Sequence, residues 1–222
     1  MSQDIEKEGN SKDNVCATQS VRRCGATPKI LDRSQIFENA SSQFRSSVYE
    51  QATLRGDAEV SGHARVHGNA QVYGSASITE HSRVYGDAHV FGEAKIQGNS
   101  SIYGNAYVQG MAVISGNAEV FGNARVDFRS EITGLARVYG RAVVYGGKIK
   151  DGADVFGYAQ VSGGRVHGCA KVYGNAVVVG EVYGNAEVYG DAVVEGVVRG
   201  SAIVRGSYVV RSWEILDSGI YE

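Results

Sequence analysis

From Leu54 onward every sixth residue is aliphatic: Leu54, Val60, Val66, Val72, Ile78, Val84, Val90, Ile96, Ile102, Val108, Ile114, Val120, Val126, Ile132, Val138 and Val144. Two places before each stands a small residue, Ala in every case but Ser82, Ser100 and Ser130. Two places after each stands glycine, except at Glu80 and Phe128. The unit is V-x-G-N-A-x. Its β-branched residues, flanked by outward polar ones, predict short strands of period two. Glycine followed by Asn, Asp or His suits a corner where the backbone visits positive φ. Alanine at the next inward position fits a corner with no room for a larger side chain.

The register runs backwards through Val48, Ile36 and Ile30, with Ser42 replacing the aliphatic once, so the coil is expected from about residue 30. Beyond Val144 the aliphatics continue through Ile149, Val155, Val161, Val166, Val172, Val178, Val182, Val188, Val194, Val198, Val204 and Val210. Their step shortens to five at Ile149 and Val166 and to four at Val182 and Val198, once in every three units. A deletion recurring at every third unit means that three units make one turn and the same corner is trimmed on successive turns. Residue types sort by the same rule, since one side carries Val60, Ile78, Ile96, Ile114, Ile132 and Ile149 while the other two are mostly Val. The prediction is an all-β, single-stranded parallel β-helix: a three-sided prism of about ten turns and roughly 50 Å, from the strand spacing. About thirty inward aliphatics, each worth roughly 1.5 to 3 kcal/mol on burial, offset much of the ordering entropy.

This pattern over residues 30 to 211 resembles the hexapeptide-repeat left-handed parallel β-helix superfamily, and the V-Y-G-N-A-x version looks like a bacterial subgroup often labelled putative acyltransferase. The resemblance implies a left-handed coil, against the general preference for right-handed crossovers. One departure is that glycine falls a residue later than is usual in that superfamily. The resemblance also implies a candidate activity, acyl transfer from acetyl coenzyme A, which needs a general base, usually His, and a wall for the cofactor from an extruded loop and a C-terminal helix. His67, His81 and His89 are the candidate bases. Every departure from six in this chain is a deletion, so no loop is inserted to enclose a substrate. The chemistry therefore points away from an enzyme, and no cofactor is expected.

With 22 Lys plus Arg against 24 Asp plus Glu, a net charge of -2 gives no overall basic field for nucleic acid or an anionic membrane. No apolar stretch approaches the roughly 18 residues that cross a bilayer. Residues 1–29 have no period, contain the single proline, Pro28, and read as a disordered polar tail without the apolar core of a signal peptide. The expectation is a cytoplasmic protein as made. The tail also resembles in composition the leader of bacterial effectors delivered by a non-Sec, contact-dependent system. Cys16, Cys24 and Cys169 form neither a disulfide framework nor a zinc spacing. Residues 212–222, with Trp213, Ile215, Leu216, Ile220 and Tyr221, are expected to cap the open end. Arg199, Arg205 and Arg211, one per side, read as charge that discourages end-on stacking.

One outward column stands apart: Tyr49, His67, Tyr85, Tyr103, Phe121, Tyr139, Phe156, Tyr173 and Tyr189 all follow the aliphatic on the same side. The matching column on the Ile-rich side reads Ser61, Thr79, Gln97, Ser115, Thr133, Lys150, His167 and Tyr183. Stacked rings on adjacent strands stabilise by about 0.5 to 1.5 kcal/mol per pair, and a long aromatic surface also marks contact with protein or a planar ligand. The column is the candidate binding site, for a protein partner or a second copy of the chain. His63 and His81 occupy the same corner one turn apart, where positive φ is tolerated, and read as corner residues. Asp57, Asp87 and Asp191 read as solvated corners, and no metal site is expected. The favoured reading is a rigid, non-enzymatic scaffold, with the acyltransferase as the alternative.

Overall fold

The computed structural model describes residues 29–31 and 33–222. The expectations for the polar tail, Cys16 and Cys24 therefore lie outside the described residues, apart from Lys29 at its end. The chain folds as a parallel β-helix of three sheets, with 12, 11 and 11 strands among the described residues in about eleven turns. Strands on one face pair with strands one turn away, so Val60 lies beside Ile78 and Ile78 beside Ile96. The first face includes Arg65–Val66, Arg83–Val84 and Ser101–Ile102, the second Gln71–Val72 and His89–Val90, and the third Glu59–Val60 and Ser77–Ile78. The coil runs about one turn further than expected. Val197 pairs with Ile215 and Ile203 with Ile220, so the segment 212–222 adds a strand to the third face and another to the first. No helix of the described residues is long and apolar enough to cross a membrane.

The core is the inward column of each face. The aliphatics from Val48 to Val210 and the corner alanines between them are fully buried. Where serine takes the small position, its hydroxyl donates to the carbonyl three residues back: Ser82 to Thr79 at 2.6 Å, Ser100 to Gln97 at 2.8 Å. Ser42, in an aliphatic slot, bonds the hydroxyl of Ser46 at 2.8 Å. No buried side-chain N or O of the described residues lacks a partner, so these hydroxyls avoid the desolvation penalty of an unpaired group.

The corner glycines are set by the turn above. At Gly98, with φ +74°, an added Cβ would lie 2.7 Å from the Gly116 carbonyl oxygen, so both the backbone angle and the stacking exclude a side chain. Among the described residues six others adopt positive φ without being glycine: Glu38, Phe44, Glu50, Glu80, Phe128 and Asp151. Four are acidic, and each carboxylate accepts the backbone N–H of the glycine one turn on. Glu38 bonds Gly56 at 2.6 Å, Glu50 bonds Gly68 at 2.7 Å, Glu80 bonds Gly98 at 2.8 Å and Asp151 bonds Gly168 at 3.1 Å. The charge-assisted bond offsets part of the left-handed strain.

Trimming falls on the corner between the second and third faces. Ile132 pairs with Ile149 seventeen residues on, and Val182 with Val198 sixteen on. Glycine at this corner is enforced by proximity, because a Cβ on Gly164 would meet the Gly180 oxygen at 2.8 Å. The corner before the first face is untouched by these deletions.

Candidate interaction face

The first face carries the aromatic column. Its rings project from the residue after each inward aliphatic and stack along the rod axis, each half-buried by its neighbours. Successive centroids from Tyr49 through His67, Tyr85, Tyr103 and Phe121 to Tyr139 are 4.7 to 5.1 Å apart. From Tyr139 through Phe156 and Tyr173 to Tyr189 they stay at 4.8 to 4.9 Å. Interplanar angles run from 1° to 8° over the whole column. The strand spacing of about 4.8 Å dictates this separation, so each ring covers much of its neighbours' faces. The column shows less apolar surface than its sequence alone implies.

Charged residues flank the rings from the strand position before the aliphatic. Arg137 forms a two-pronged pair with Asp154, at 2.7 and 2.6 Å, and lies over the Tyr139 ring at 5.9 Å. Lys171 bonds Glu187 at 3.1 Å, and the Tyr173 hydroxyl donates to the same carboxylate at 3.4 Å. Burial, reinforced by Glu119, pushes the Tyr85 and Tyr103 hydroxyls above the usual phenol range, and burial with Asp154 does the same to Tyr139. These phenols stay protonated and present O–H groups along the ridge. His67 is held below the ordinary histidine value, first by burial and then by Arg65 and Arg83, with Glu50 opposing.

The three candidate bases are placed apart. His67 sits inside the column, its Nδ1 3.8 Å from Glu50. His81 is at the corner before the first face and stacks on His63, with centroids 4.9 Å apart. His89 is on the second face and stacks on Tyr107 at 4.7 Å. They do not converge on one pocket, and no group of three His, Cys, Asp or Glu among the described residues could hold a metal ion. Cys169 is free and exposed.

Several features add to the sequence expectations or amend them. The second face has its own shorter stacks, Tyr73 on Phe91 and His89 on Tyr107, both at 4.7 Å. Asp57, Asp87 and Asp191 accept the side-chain amides of Asn39, Asn69 and Asn175 from the turn below, at 3.0, 2.8 and 2.8 Å. Phe128 stacks on Tyr145 at 5.2 Å. The three terminal arginines are engaged by the last turn. Arg199 lies 3.5 Å from Asp217, Arg205 2.6 Å from Glu222, and Arg211 stands 5.6 Å over the Trp213 ring. No protein-family model matches the chain, and no curated protein matches it.

Proposed function

We propose that this protein is a non-enzymatic rigid scaffold whose first face binds another protein surface, a second copy of the chain included, through the aromatic column. The observation that carries this reading is the constancy of the column through the trimmed turns. Between Tyr139 and Tyr189 the chain loses residues on successive turns, yet ring separations stay at 4.8 to 4.9 Å because each deletion falls at the corner opposite. A stabilising stack alone does not need such length, since each pair contributes locally. A rod of nearly constant ring pitch, with O–H groups and paired charges beside it, matches the aromatic-rich, polar-rimmed composition of protein interfaces.

The test is site-specific photo-crosslinking. A photoreactive phenylalanine replacing Tyr103 is expected to capture a discrete protein adduct, and one replacing Ser115 on the third face is expected not to. Equal capture at both sites overturns the assignment of the face.

A further inference from the structure

A second feature lies on the first few described turns, beside the first rings of the aromatic column, and rests on charge and not on those rings. Where the corner meets the first face, a cleft of about 540 Å³ is lined by Lys29, Arg45, Ser47, His63, Arg65, His81 and Arg83. Among the described residues the lining contains no carboxylate and no large apolar side chain. It forms two adjacent columns. Lys29, Ser47, Arg65 and Arg83 are successive strand partners on the first face. Arg45, His63 and His81 follow one another at eighteen-residue intervals on the corner. Four permanent cations thus gather within four turns, a length of roughly 15 Å by the strand repeat.

Among the described residues these cations have no ion-pair partner. Further along the same strand column Arg137 pairs with Asp154 and Lys171 with Glu187. Among the described residues, no carboxylate comes within ion-pairing distance of Lys29, Arg45, Arg65 or Arg83. The nearby carboxylates of Glu50 and Glu80 are turned to the N–H groups of Gly68 and Gly98. Arg65 and Arg83 are direct cross-strand neighbours of like charge, an arrangement that costs stability unless an anion lies between them. The field of both arginines also reaches His67 and disfavours its proton.

The geometry points to a binding site in this cleft for a small molecule carrying several phosphate groups. Guanidinium groups stacked at the strand repeat present forked donors to successive phosphates, and the paired imidazoles of His63 and His81 line the opposite side. Among the described residues the lining holds no Phe, Tyr or Trp, the imidazoles of His63 and His81 are already stacked on each other, and the basic stretch ends at Arg83, which favours a short polyphosphate over a nucleic acid strand. The overall charge of -2 conceals this local field.

The test is calorimetric titration of the full chain with inorganic tripolyphosphate, orthophosphate and a single-stranded oligonucleotide at physiological ionic strength. Tripolyphosphate is expected to bind one site at least tenfold more tightly than orthophosphate. The double variant R65S/R83S, which copies the serine already present at Ser47 and Ser101 of that column, is expected to weaken it tenfold or more. Removing the same charge elsewhere with K95S/R125S is expected to leave binding within twofold. Thermal unfolding of each variant checks that the fold persists, and if R65S/R83S does not fold, the single variants R65S and R83S take its place, each expected to weaken binding at least threefold. Absence of binding, equal loss in both double variants, or tighter binding of the oligonucleotide than of tripolyphosphate each overturns the proposal.

Discussion

The carboxylate of Glu80 accepts the backbone N–H of Gly98 one full turn away, at 2.8 Å, while Glu80 itself holds φ at +62°. A residue that breaks the glycine pattern thus brings its own compensation. Two substitutions separate the terms. Glu80→Ala keeps the strain and loses the bond, whereas Glu80→Gly loses both. Glu80→Ala is expected to be the less stable by about 1 kcal/mol, read from urea unfolding of the two variants side by side. Equal stability would show that the left-handed backbone carries no cost here.

The same separation applies to the glycines. Gly98 and Gly163 have nearly equal φ, +74° and +71°, but an added Cβ meets backbone at 2.7 Å in the first and nothing within 4 Å in the second. Gly163→Ala is expected to cost about 1 kcal/mol, the backbone term alone. Gly98→Ala should cost roughly 2 kcal/mol or more, because the next turn must also shift. Thermal unfolding midpoints in the reverse order would contradict the stacking argument.

His67 supplies a pH dependence with a definite sign. Burial lowers its folded-state value, with Arg65 and Arg83 adding to the effect and Glu50 opposing it. The unfolded chain therefore takes up the proton first as pH falls through the ordinary histidine range near 6.5. Stability declines below that point and levels off once the lower folded value is passed. His67→Phe, which keeps a ring between Tyr49 and Tyr85, should shrink the stability difference between pH 7.5 and pH 5 measured by urea unfolding. An unchanged difference would place the effect elsewhere. Glu131 also loses stability toward acid, below the carboxylate range, since hydrogen bonds from Lys148 and Lys150 lower its value.

The fold was legible because inward residues repeat strictly: Val60 and Ile78 are eighteen apart in sequence and neighbours in space. The trimmed turns sharpened the reading, since shortening at Ile149 and Val182 is intelligible only if the same corner is cut each time. The column of rings was equally plain, being one position of the repeat read on one side. Glu80 was opaque for a physical reason. Its acceptor function depends on an N–H eighteen residues away, and at the corner glutamate looks only like a missing glycine. The basic cleft was hidden because Arg45 and Arg65 occupy different positions of the repeat, and because opposite charges elsewhere cancel in the total. The exposed surface of the rings was overread, since stacking turns part of each ring inward upon its neighbour.

The central claim is that the first face works by contact and that its rings are the contact surface. Substituting Tyr103, Phe121 and Tyr139 together with Ser copies the side chains that the third face carries at Ser61 and Ser115. The decisive measurement is sedimentation velocity of wild type and the triple variant over a concentration series, alone and with the captured partner, alongside the unfolding free energy of each. The account predicts a stability loss of only a few kcal/mol, on the order of the lost ring pairs and surface propensity, together with loss of association by tenfold or more. A variant that associates as wild type does, yet unfolds far earlier, would show that the column is structural and contradict the claim.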